Sequence, residues 1–146
     1  MWGEKLAQTI QTAIAIAYAS CFLNNLNVEI SFRSTIEGRR QTAKTGTPLL
    51  IYAFNSKKHS YKYLYNFRKL IPQGLTPEGI CLDIVRKNLP KPTYNEDVYL
   101  LNISDGLPNL NVHSEYGFSA AVEHTSRVMR KYSKEGINVL SYFIPE

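Results

Sequence analysis

The sequence predicts an α/β fold built on a doubly wound, mostly parallel sheet with one antiparallel edge strand. Three observations carry that expectation. Two short runs, residues 98–103 and 137–144, are apolar at nearly every position, which is the pattern of strands buried on both faces of a parallel sheet. Between them lies an amphipathic helical pattern, and a right-handed strand–helix–strand crossover makes two such strands neighbours. The first run ends in Ser104-Asp105-Gly106, so the Asp105 carboxylate is delivered to the carboxyl end of a central strand, where open α/β sheets place ligands. The same residues also read as an ordinary turn, since Asp-Gly is among the commonest turn pairs.

A chain of 146 residues with 44% hydrophobic content suits one domain with one core. Cys21 and Cys81 lie in apolar periodic stretches without Cys-x-x-Cys or Cys/His spacing, so they read as buried free thiols. The net charge of +5 is compatible with nucleic acid or an acidic partner and decides between neither. The apolar stretch 13–23 is interrupted by polar residues upstream and is too short to span a bilayer, so a cytoplasmic protein with no membrane partner is expected.

In chain order, Leu6, Ile10, Ala13, Ile14, Ala17 and Cys21 recur at helical spacing and predict a helix over 2–23. Val28, Ile30 and Phe32 alternate with Glu29, Ser31 and Arg33, predicting a strand over 27–34. A polar loop over 35–47 with Gly38, Gly46, Arg39, Arg40 and Lys44 separates it from an edge strand at 49–54, entered through Pro48 and paired with its predecessor like a hairpin. Residues 56–69 interleave Lys57, Lys58, His59, Lys62, Arg68 and Lys69 with Tyr61, Tyr63, Tyr65 and Phe67. That mixture suits a single-stranded nucleic-acid groove. It equally suits a surface helix whose tyrosines pack inward beneath solvated lysines. Thr76 as N-cap, Pro77 in the first turn and Glu78 after it open a further helix, with Ile80, Ile84, Val85 and Leu89 as its buried stripe and Pro90 and Pro92 beyond its end. After the central strand, Pro108 blocks continuation and a loop runs over 107–115. Phe118, Ala121, Val122, Thr125, Val128, Met129 and Tyr132 then mark one helix face, and Gly136 caps it.

Two motifs carry a resemblance. Gly74-Leu75-Thr76-Pro77-Glu78-Gly79 resembles the Gly-x-Thr-Pro-x-Gly loop, and Asn102-Ile103-Ser104-Asp105-Gly106 the strand-end Asp-Gly motif, of von Willebrand factor type A domains. The likeness is narrowest to the bacterial group found in cobaltochelatase-type and related ATPase-partner proteins, and the element order agrees along the whole chain. It implies a Rossmann-like sheet and a metal-ion-dependent adhesion site. Thr76 would offer its hydroxyl to Mg2+, Asp105 its carboxylate, often through water, with Ser104 and Gly106 beside them. The open coordination position would take a carboxylate from a protein partner, such as an AAA+ ATPase, and the chain itself would be no enzyme. A hard cation that keeps several waters suits such oxygen donors.

One departure qualifies the resemblance. The Asp-x-Ser-x-Ser motif that this family carries between its first strand and first helix is absent, and Met1-Trp2-Gly3-Glu4-Lys5-Leu6 reads like the sequence just after it. An incomplete fold lacking the first strand is therefore expected, with weak magnesium affinity. Three origins stay open: a fragment or mis-started frame, completion by another chain, or a sheet closed alone with strong metal binding lost. Nucleic-acid binding through Lys57, Lys58, Lys62, Arg68 and Lys69 is the alternative function. Hydrolysis is disfavoured, because Ser104, Asp105, His113 and His124 fall in no nucleophile–base spacing and no phosphate-binding Gly-Lys loop is present.

Overall fold

Residues 3–36, 47–70, 75–104 and 116–144 are described by the computed structural model, apart from the side chains of Ile36 and Arg68. The loops expected over 35–47 and 107–115 fall mostly outside them, as do Gly74, Asp105, Gly106, Pro108 and His113. The elements are α1 (Gly3–Ser20), β1 (Glu29–Ile36), β2 (Thr47–Asn55), a 3₁₀ helix (Tyr61–Lys69), α2 (Glu78–Asn88), β3 (Tyr99–Ser104), α3 (Phe118–Lys134) and β4 (Asn138–Phe143). This is a mixed α/β chain with one antiparallel and one parallel strand pair. Contacts cluster into two units, Met1–Phe32 with Leu50–Gln73 and Arg33–Leu49 with Gly74–Glu146, and the boundary falls inside β1 and β2.

The first unit is held by one apolar cluster. Ala13 and Ala17 of α1 are buried with Ala53 and Phe54 of β2 and with Leu64 and Phe67 of the 3₁₀ helix, while Ile10, Ile14 and Cys21 pack around them as their helical spacing requires. Three residues per turn put Leu64 and Phe67 on one row of the 3₁₀ helix, and that row faces inward, with the Phe67 ring edge-on to Phe32. Tyr61, Tyr63 and Tyr65 are exposed. The inward-packed tyrosines of the surface-helix reading are therefore corrected: the period is 3.0 rather than 3.6, and the leucine and phenylalanine already fill the covered row.

In the second unit β3 pairs with β4 in parallel, in register from Tyr99 opposite Asn138 to Ser104 opposite Phe143, as expected of neighbours joined through a helix. Val98, Leu82, Val128, Tyr132 and Ile137 form the core beside Leu100, Val139 and Met129. The Tyr132 hydroxyl donates to the Leu82 carbonyl at 2.7 Å, so the buried ring leaves no polar end unsatisfied. Burial on both faces is corrected for both strands. Leu100, Asn102 and Ser104 lie on the covered side, whereas Tyr99, Leu101, Leu140 and Tyr142 are exposed. An unbroken apolar run shows what a strand could bury; among the described residues the cluster of Leu82, Val128 and Tyr132 packs on the Leu100 side of β3 and leaves Tyr99 and Leu101 exposed.

Two more boundaries move. Helix α2 begins at Glu78, and Pro77 occupies the N-cap without a side-chain cap bond, so Thr76 does not cap it. The first helical carbonyl is that of Pro77, which accepts from the Cys81 N–H. Its buried face is also rotated: Glu78, Cys81 and Leu82 are covered and Ile84 is exposed, because a buried carboxylate and Gly79 occupy positions that an apolar pattern skips.

Gly136 and Gly79 are each required by the geometry around them. Gly136 has φ +77°, and the Ile137 N–H donates to the Tyr132 carbonyl while the Gly136 N–H donates to that of Ser133, the double bond that closes a helix through a left-handed residue. At Gly79, a Cβ would stand 2.9 Å from the Tyr116 hydroxyl and 3.0 Å from the Thr125 backbone nitrogen, so the glycine sets how closely α2 approaches α3. Gly136→Ala is expected to lose about 1–2 kcal/mol through backbone strain, and Gly79→Ala about 1–3 kcal/mol through overpacking. Urea unfolding of both variants checks these losses.

Candidate functional site

The covered face of β3 is not wholly apolar. Asn102, an amide in the middle of an otherwise apolar strand, is buried and donates through Nδ2 to Glu78 Oε1 at 2.7 Å. Ser104 donates through Oγ to the other carboxylate oxygen at 3.4 Å. Arg33, on β1, completes the cluster: Nη2 lies 3.0 Å from Glu78 Oε1 and 3.3 Å from the Ile103 carbonyl, and Nη1 donates to Asn102 Oδ1 at 2.9 Å. The Glu78 side chain is 4% exposed and that of Arg33 20%. A carboxylate this deep is tolerable only when paired and hydrogen-bonded, and this one is also placed in the first turn of α2, where the helix dipole favours negative charge. Close by, the buried Thr35 hydroxyl accepts from the Leu75 N–H at 2.7 Å, tying β1 to the segment that carries Thr76.

A cleft of about 450 Å³ opens onto this cluster, lined by Glu78 and Asn102 together with residues of α3 and β4. Val122, Met129 and Phe143 supply apolar wall; Thr125, Ser126, Ser141 and Arg130 supply hydroxyls and one guanidinium. With Arg33 beside Glu78, two guanidinium groups stand against a single carboxylate. Around it, burial pushes the Cys81 thiol up, opposed by Arg33, so this sulfur is a packed group rather than a nucleophile. The Tyr116 hydroxyl is likewise raised by burial, and then by nearby Cys81 and Glu78; it sits 2.6 Å from His124 Nδ1, which makes His124 a half-buried partner rather than the free helix-surface histidine its sequence position suggests.

Of the residues expected to bind metal, Thr76 is half-buried and Ser104 is buried on Glu78, while Asp105 and Gly106 lie outside the described residues. Among the described residues no group of three or more His, Cys, Asp or Glu is placed to hold a metal ion. The nearest carboxylate to Thr76 in the chain, Glu78, is already neutralised by a guanidinium, which repels a divalent cation. Glu78 is therefore a poor ligand for a magnesium ion. In the first unit Lys57, Lys58, Lys62 and Lys69 are exposed, and the Arg68 side chain lies outside the described residues.

No family model matches the sequence, and neither a curated protein nor a solved structure matches it. No helix among the described residues is long and apolar enough to cross a membrane.

Arg33 and Asn102 carry no local signature of a shared site, and the sequence marks Glu78 only as a first-turn acid. Asn102 was the available signal, because an amide is disfavoured in a strand unless something meets it. Arg33→Ala is expected to cost about 3 kcal/mol, since it strands a buried carboxylate; a double-mutant cycle with Glu78→Gln, followed by urea unfolding, should recover much of that loss as coupling. Asp83 offers a pH test. Its carboxyl is held low by the hydrogen bond from Lys87 at 2.8 Å, with Arg86 also bonded. Because the folded pKa lies below the unfolded one, its stabilisation is full above about pH 4 and is lost as pH falls through the folded value. Asp83→Asn should lower stability at pH 7 and flatten the acid limb of a pH series of urea midpoints.

Proposed function

We propose that the chain is a non-catalytic protein-binding module of the von Willebrand factor type A kind, related to cobaltochelatase-type proteins, that receives a carboxylate of a partner such as an AAA+ ATPase at the carboxyl end of β3. The observation that carries this reading is the Ser104–Glu78 hydrogen bond at 3.4 Å. It joins the last residue of β3, immediately before Asp105, to the start of α2, two residues after Thr76, which is the juxtaposition the two motifs require. The parallel β3–α3–β4 unit supports the Rossmann-like arrangement that goes with it.

Metal is a minor part of the proposal. Thr76 and Asp105 would hold magnesium through two protein oxygens with water completing the octahedron, which makes a weak site. Charge for a partner carboxylate comes instead from Arg130, because Arg33 already offsets Glu78. Free Cys21 and Cys81 suit a cytoplasmic setting, where thiols stay reduced.

Titrating an acidic hexaglutamate peptide into the full chain, followed by amide NMR shifts, is expected to move signals of Thr76, Ser104 and the cleft, with Arg130→Ala weakening binding several-fold. Shifts confined to 57–69, or none, overturn the reading. Calorimetric titration with magnesium chloride is expected to show weak, non-saturating heats; tight stoichiometric binding contradicts the assignment of a minor metal role.

A further inference from the structure

The basic and aromatic stretch 56–69 is not used by the proposed function, and it has a geometry of its own. Those residues include five Lys or Arg and no Asp or Glu, and Glu4 and Glu29 are the only acidic residues of the first unit. Among the described residues no carboxylate pairs with Lys57, Lys58, Lys62 or Lys69. One carboxylate, Glu29, accepts from the Asn55 side-chain amide at 3.1 Å at the edge of this turn, so the face keeps an excess of positive charge rather than a balance.

The lysine pair is held on an ordered turn. Asn55 accepts through its side chain from the Lys57 N–H at 3.0 Å and through its carbonyl from the Lys58 and His59 N–H groups, while its own N–H donates to His59 Nδ1 at 3.0 Å. His59 in turn stacks flat on Tyr63, with ring centroids 3.8 Å apart and planes within 6°. In the 3₁₀ helix that follows, Leu64 and Phe67 occupy the buried row. The other two rows then run Lys62–Tyr65 and Tyr63–Asn66–Lys69, each successive residue about 6 Å further along the axis. Tyr65 is 66% exposed, and Tyr61 meets Tyr18 of α1 edge-on at 6.1 Å, beside exposed Phe22.

From this placement we infer that the face formed by the 55–59 turn and the 3₁₀ helix binds single-stranded nucleic acid. Lys57, Lys58, Lys62 and Lys69 meet phosphates, and Tyr65 together with the outer face of Tyr63, whose inner face is braced by His59 against Phe54, offers rings to bases. A strand with unpaired bases can use both sets of groups, whereas a duplex hides its base faces and can use only the charges. No aliphatic wedge accompanies the lysines on these two rows, which distinguishes the face from a membrane-inserting helix. Neither sequence nor sugar is read.

The test is fluorescence anisotropy of labelled dT20 with the full chain, with a 20-base-pair duplex and phosphatidylserine vesicles as comparison arms. Expected are tighter binding to dT20 than to duplex, and a log–log salt slope near −3, from about −0.7 for each of four phosphate contacts. Tyr65→Ala should weaken dT20 binding about 5-fold or more, while Tyr65→Phe, which keeps the ring, should not. Lys57→Ala with Lys58→Ala should reduce the slope by about 1.4. The variants should unfold at the parent's temperature. Absent dT20 binding, equal binding to duplex, or binding to vesicles in place of dT20 overturns the inference. Each of these outcomes is independent of hexaglutamate binding at the cleft.

Discussion

A single buried carboxylate organises the second unit. Glu78 is 4% exposed and bonded to Arg33, Asn102 and Ser104, so three segments far apart in sequence must reach one place before it can be covered. Hydrophobic packing alone would let α2 rotate or slide on the sheet at modest cost, because Leu and Val contacts are interchangeable. An ion pair with amide and hydroxyl partners has one geometry. Replacing any member with an apolar group of the wrong shape leaves charge or lone pairs buried without partners, and that asymmetry makes the cluster a register-setting device more than a source of net stability. The rotation of α2 follows from it: Ile84 turns outward because Glu78 must turn inward.

The two units reach stability by different means, and the difference shows on their surfaces. The first is an apolar cluster around small residues of α1, where Ala13 and Ala17 allow close approach and the aromatic rings of Phe54 and Phe67 supply the bulk. Tyr61, Tyr63 and Tyr65 are exposed among lysines. The second buries polar chemistry at a strand end, and its cleft mixes hydroxyls, a guanidinium and apolar wall. A surface of rings and cations recognises flat, anionic polymers; a concave site with a surplus guanidinium recognises a discrete acidic group. One chain thus carries two surfaces of different chemistry, each built on a different kind of packing.

Local periodicity determined a good part of this protein. The α1 stripe, the α3 face through Ala121, Val128 and Tyr132 and the Gly136 cap follow from spacing and backbone chemistry, since each depends on residues near one another in the chain, and the parallel pairing of β3 with β4 follows from the handedness of the crossover between them. Tertiary structure alone decided which faces were covered, because burial depends on what packs against an element and not on its own pattern: hence exposed Leu101 and Leu140, exposed tyrosines on a 3₁₀ helix, and a displaced α2 stripe. It alone decided the Arg33–Glu78–Asn102 cluster as well. Charges separated by dozens of residues have no local signature, and only a fold that removes water from around them makes each require the others.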